Sequence, residues 1–172
     1  LYIVAVLSTG VYGIVLGGWA SNNKYSLMGS IRAGAQMVSY EVAMGLSIIA
    51  LVMMTGSLSL REITEQQSNG WNILYQPLTF LIFLVCSFAE CNRTPFDLAE
   101  CESELVNGHH TEFSSMKMAF YMFSEYIAMF FSSALISVLF FGGYNYPGME
   151  WVSDNWGVNI ANTLAVVSIL AK

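Results

Sequence analysis

The chain has 172 residues, 55% of them apolar and only 10% charged, with a formal net charge of −6. That balance excludes an ordinary soluble domain and a basic nucleic-acid binder, and it describes a single integral membrane domain over residues 1–172. The acidity is local, because six of the twelve Asp and Glu residues lie between Glu90 and Glu112.

A membrane-crossing helix needs about 20 mainly apolar residues to traverse a hydrocarbon core of about 30 Å. Five segments meet or approach this, at 1–18, 33–58, 73–90, 116–142 and 158–171. The predicted fold class is therefore all-α, a polytopic transmembrane helix bundle of about five helices in this fragment. The first and last runs are cut by the chain ends, with no initiator Met and no leader, so an internal piece of a longer protein is expected. Turn-forming stretches separate the spans, "GGWASNNK" after the first, "QQSNGWN" before the third and "GGYNYPG" after the fourth.

Alternating the loops across a bilayer puts Lys24, Arg32, Arg93 and Lys117 on one side, with Lys172 expected to join them, and leaves Arg61 opposite. Lys and Arg favour the cytoplasmic or matrix side, which makes the first side the inner one. Trp71, Tyr75, Tyr144, Tyr146, Trp151 and Trp156 then gather at the opposite headgroup boundary.

Two acids fall inside spans. Glu41 follows Arg32 by nine residues and Glu125 follows Lys117 by eight, which puts each about 12 to 14 Å below the inner surface. A charged carboxyl at that depth costs several kcal/mol against lipid, so it should face protein or a water-filled cavity and mark a proton or ion path. Gly34, Met37 and Gly45 share a stripe with Glu41, and Tyr121, Ala128 and Ser132 share one with Glu125. The competing reading is a neutral carboxyl making one interhelical hydrogen bond without transport. Glu90 forms an intermediate step near the inner surface, and Asp97, Glu100, Glu102, Glu104 and Glu112 continue the series into the loop.

Part of that loop has a structural explanation. Phe96 to Cys101 reads as a helix start, with Asp97 as N-cap, Glu100 three residues on and Gly108 as the stop, predicting a short acidic helix in an inner-face loop. Asp97 and Glu100 then serve the helix itself. Glu102 shares a face with Leu98 and Leu105 and is not explained by a solvated acidic face. Crowded carboxylates titrate as coupled groups, and Arg93 is the nearby cation that can hold one ionised.

No metal site is expected. His109 and His110 are adjacent and diverge, and no acid stands at metal-ligand spacing to them. Cys86, Cys91 and Cys101 lack C-x-x-C spacing; a Cys91–Cys101 bridge is possible on spacing, but the inner face keeps thiols reduced.

Two long stretches, "GWASNNKYSLMGSIRAGAQMVSYE" from Gly18 to Glu41 and "AECNRTPFDLAECESELVNG" from Ala89 to Gly108, closely resemble the quinone-tunnel membrane subunit family of respiratory complex I, as do "HTEFSSMK" and "EY" beyond them. The resemblance covers essentially the whole chain. It implies a non-redox membrane subunit of proton-translocating NADH:quinone oxidoreductase that lines the quinone tunnel and carries a glutamate chain coupling quinone reduction to proton translocation.

On that resemblance the relay residues are Glu41, Glu90, Glu100, Glu102, Glu104, Glu112 and Glu125, with Lys24, Arg32, Arg93, Phe96 and Asp97 near the tunnel and inner loops. It further implies quinone as substrate, no cofactor on this chain, and FMN and iron–sulfur clusters on partner subunits. The other partners would be hydrophilic quinone-site subunits, membrane-arm subunits and the lipid bilayer, in a bacterial inner membrane or a mitochondrial one. Ala99, Cys91, Cys101 and His109 depart from the usual family residues, and none of these removes an acid. The readings it competes with are a homologous anchor subunit of an energy-converting hydrogenase or formate hydrogenlyase, a stand-alone proton-coupled transporter, and a purely structural anchor.

Overall fold

Long apolar runs without Pro or paired Gly should stay helical until a residue that tolerates positive φ stops them, and the helices obey this. The computed structural model describes residues 2–92, 96, 112–146, 149 and 158–172. Among these, regular structure is all helical: α1 (Tyr2–Ser8), α2 (Gly10–Ala20), α3 (Lys24–Thr55), α4 (Leu60–Gln66), a 3₁₀ turn (Gln67–Asn69), α5 (Asn72–Tyr75), α6 (Pro77–Glu90), α7 (Met116–Phe140) and α8 (Val158–Ala171).

Local chemistry sets the boundaries. The α3 helix begins at Lys24, nine residues before the predicted span, because Asn23 caps it: its Oδ1 accepts from the Tyr25 amide at 3.0 Å. Gly56, at φ +70, ends the helix in a left-handed conformation that costs Gly little. Gly142 does the same for α7 at φ +75, and the Gly143 amide reaches back to Ser137 O at 2.8 Å. Asn92, at φ 48, follows α6 in the same conformation. Pro77 explains why the predicted third span is broken into α5 and α6, since the preceding Gln76 is forced out of the helical region to φ −134.

Among the described residues two helices, α3 and α7, are long and apolar enough to cross a membrane. Only 22% and 17% of their most apolar windows are buried, whereas a soluble core helix would be mostly covered. Val42 and Phe130 are 63% and 69% exposed, an apolar exterior suited to lipid.

The chain divides into two compact units, residues 1–46 with 84–130, and residues 47–83 with 131–172. In the first, small residues let helices approach closely. A Cβ on Gly18 would overlap Ser30, and one on Gly34 would meet Val15 Cγ2 at 3.0 Å, so α2 and α3 pack nearly backbone to backbone. Ser26, Ser30, Ala33, Cys86 and Ala89 are buried in this unit.

The second unit is built on aromatics and buried amides. Phe80 meets Phe140 and Phe141 edge-on at 5.3 and 5.6 Å, and Phe83 lies against Phe140 at 5.6 Å. Gln67 Nε2 donates to Val138 O at 3.1 Å and Asn72 Nδ2 to Leu139 O at 2.9 Å, satisfying carbonyls near the end of α7.

Lys172 Nζ donates to Phe141 O, Gly143 O and Asn145 O at 2.6, 3.0 and 2.7 Å and lies 5.5 Å from the Trp71 ring, at the turn after α7. The orphan carbonyls and negative end of α7 attract the ammonium. Arg61 pairs with Glu65 at 2.8 Å on an exposed surface, a contact of little structural weight.

Candidate functional site

The predicted site residues that are described all fall in the first unit. Glu41 lies half-buried on α3, Glu125 half-buried on α7, and Glu90 closes α6 with 9% of its surface exposed. Burial dominates the surroundings of the Glu90 carboxyl and an electrostatic interaction with Glu41 is second, so these two members of the predicted series are neighbours. Glu90 Oε2 is fully buried and has no hydrogen-bond partner among the described residues. A carboxyl in that state is expensive to maintain and points to a functional use.

The segment after α6 is held to α3 by a residue that sequence reasoning missed. Gln36 is 7% exposed, and its Nε2 donates to Ala89 O at 3.1 Å and Phe96 O at 2.8 Å, with Asn92 Oδ1 as a longer contact at 3.5 Å. Phe96 then stacks edge-on against Tyr40 at 5.3 Å, one residue from Glu41. The sequence signal was a carboxamide inside an apolar span, five residues before the acid.

Glu112 is exposed and accepts from Asn23 Nδ2 at 2.9 Å. Asn23 thus caps α3 with one side-chain atom and holds Glu112 with the other, placing that carboxylate at the positive end of the helix. Phe113 follows, 6.4 Å from the Tyr121 ring, with Cζ placed to meet any Cβ on Gly17 at 3.2 Å. Lys24 and Arg32 are exposed on α3. Arg93, Asp97, Glu100, Glu102 and Glu104, the predicted acidic helix, Cys101, and His109 with His110 lie outside the described residues. Cys86 and Cys91 are buried thiols.

This geometry brings together Glu41, Glu90, Gln36 and Phe96, and it ties Glu112 to the start of α3. Such an arrangement sets two carboxyls beside a clamped aromatic ring in a low-dielectric setting.

A family model described as NADH dehydrogenase matches residues 1–171. Two relatives named as subunits of NADH-quinone oxidoreductase, from Flavobacterium johnsoniae and Flavobacterium psychrophilum, are each 69% identical over 173 residues; the match takes in 100% of this chain and 49% and 50% of theirs. A relative of the same description from Cytophaga hutchinsonii is 65% identical over 166 residues, 95% of this chain and 48% of that protein. The chain spans about half the length of the curated relatives it matches. With a match from end to end and identity sustained over the whole length, the chain belongs to the NADH dehydrogenase family.

Proposed function

We propose that the chain is part of the membrane subunit of a proton-translocating NADH:quinone oxidoreductase. In this reading it lines the quinone access tunnel and supplies carboxylates that couple quinone reduction to proton movement. The observation that carries the proposal is Glu90, buried at the end of α6 with an unpartnered oxygen among the described residues and with Glu41 as its electrostatic neighbour. A structural anchor has no use for so costly a group, whereas a proton carrier requires one that is shielded from bulk water.

Each chain element then has a task. Glu41, Glu90 and Glu125 carry protons within the spans, and Glu100, Glu102, Glu104 and Glu112 connect them to the inner face. Phe96 and the inner-loop cations Lys24, Arg32 and Arg93, with Asp97, shape the tunnel end. Quinone is the substrate, this chain holds no cofactor of its own, and FMN and iron–sulfur clusters reside on partner subunits. The chain sits as a multi-pass protein in a bacterial inner membrane, contacting hydrophilic quinone-site subunits and other membrane-arm subunits.

The test is Glu41→Gln and Glu125→Gln in the assembled complex. Electron transfer from NADH to an artificial acceptor that bypasses quinone should persist, while quinone reduction and proton translocation fall together. Unchanged quinone reduction and translocation in both variants would refute the proposal.

A further inference from the structure

Gln36 and Tyr40 stand one turn apart on the same face of α3, and both hold the same residue of the following loop. The Gln36 Nε2 donates to Phe96 O at 2.8 Å, while the Tyr40 ring meets the Phe96 ring edge-on at 5.3 Å. Phe96 is thus fixed by its backbone and by its ring, each to a different side chain of one helix. The same Gln36 nitrogen donates to Ala89 O at 3.1 Å, the carbonyl that precedes Glu90 in the last turn of α6.

The two carbonyls depend on Gln36 unequally. Ala89 O also accepts from the Asn92 amide at 3.3 Å, where the chain leaves α6 through a left-handed residue at φ 48. Phe96 O accepts from Gln36 alone among the described residues. Losing the carboxamide therefore leaves the end of α6 with its own turn and leaves the Phe96 backbone without its anchor.

The task also explains the residue type. Two carbonyl acceptors need two N–H donors on one uncharged head, carried on a stem long enough to reach both. Asn carries that head on a stem one methylene shorter, Met has similar length and donates nothing, and an ionised Glu only accepts. Lys or Arg would bury a charge at a position that is 7% exposed. At that exposure the carboxamide offers a ligand almost no surface of its own, so any effect on a substrate must pass through what it holds.

We propose that Gln36 is a positioning residue for the quinone: by anchoring the Phe96 backbone to α3 it fixes where the Phe96 ring stands beside Tyr40, and it acts on the substrate through that ring. This rests on the reading that Phe96 shapes the tunnel end. An apolar wall holds a substrate equally before and during reaction, so its displacement raises KM and spares kcat.

The experiment uses the full-length chain in the assembled membrane complex, with Gln36→Met, Gln36→Asn, Phe96→Leu and the double variant Gln36→Met with Phe96→Leu. Gln36→Met should raise KM for quinone about tenfold, the effect of one buried hydrogen bond, with kcat within about twofold of the parent. Gln36→Asn, which keeps the donors but not the reach, should behave in the same way and serves if the Met variant fails to assemble. Phe96→Leu should also raise KM, and the double variant should be no worse than Phe96→Leu, because both changes act on one ring. Hydrogen exchange of the peptide that contains Phe96 should be about tenfold faster in Gln36→Met.

An unchanged KM in both Gln36 variants, in a complex where Phe96→Leu raises it, overturns the proposal. So does an additive double variant, which would mean that Gln36 does not act through Phe96. A smaller yield of complex with the parent KM and kcat assigns Gln36 to the bundle alone and overturns it as well. If Phe96→Leu leaves KM unchanged, the reading of Phe96 as a tunnel residue fails and the proposal falls with it, while the exchange rate still decides whether Gln36 anchors the loop.

Discussion

Gly18 sets the closest approach in the first unit, and the cost of filling it can be worked out from its surroundings. In Gly18→Ala the new Cβ would overlap the Ser30 Cβ and Oγ and stand 2.9 Å from Ser26 O. Two of these three atoms cannot swing away: Ser26 O is backbone, and the Ser30 Cβ is fixed to α3. Alanine is a better helix former than glycine by about 0.8 to 1.0 kcal/mol, a gain that opposes the clash. Overpacking of this kind costs about 1 to 3 kcal/mol and more when backbone must move, so the clash wins by about 1 to 2 kcal/mol.

Gly13 is the internal control. It lies on the same helix with nothing among the described residues within 4 Å of its Cβ position, so Gly13→Ala should gain about 0.5 to 1 kcal/mol. Hydrogen exchange of α2 amides in the assembled complex reads both variants. Exchange should accelerate about 5- to 30-fold in Gly18→Ala and slow about 2- to 5-fold in Gly13→Ala. Slower exchange in both would refute the reasoning, since helix propensity and not the α2–α3 contact would then set the sign.

Other substitutions probe separate contacts. Lys172→Met removes an ammonium that satisfies three carbonyls and should loosen the Phe141–Asn145 turn by about 1 to 2 kcal/mol, read as roughly tenfold faster exchange of the Gly143 and Asn145 amides. Asn23→Ala removes both the α3 cap and the Glu112 contact; it should cost about 1 kcal/mol and increase proteolytic cleavage near Glu112, whereas Asn23→Asp, which keeps the cap but repels Glu112, should preserve α3 while still freeing that segment. Asn72→Ala leaves Leu139 O without its donor in a buried setting and should lower the thermal stability of the second unit by about 1 to 3 kcal/mol.

Much of this was legible from residue order alone. A run of apolar residues with no breaker can satisfy its backbone only as a helix in lipid, so the all-α class follows from composition. Glu41 and Glu125 stand out because a carboxylate in such a run has no local explanation, whereas the predicted span 33–58 misses the cap at Asn23 and the stop at Gly56. The third predicted span shows where local reading stops short: Pro77 was visible, but the break it imposes at Gln76 depends on a backbone conformation.

What tertiary structure decided are the pairings. Gln36 carries no motif, and only the approach of α3 to the end of α6 makes it a clamp. Glu90 is an intermediate step of the acidic series in the sequence, and only the structure adds that its carboxyl is buried with an oxygen unpartnered among the described residues. Lys172 is a lone charge in the sequence, and only the folded chain brings its ammonium to the carbonyls after α7. Sequence patterns report the environment each residue prefers, whereas hydrogen-bond satisfaction depends on which atoms packing brings within about 3 Å of one another, and no single segment encodes that distance.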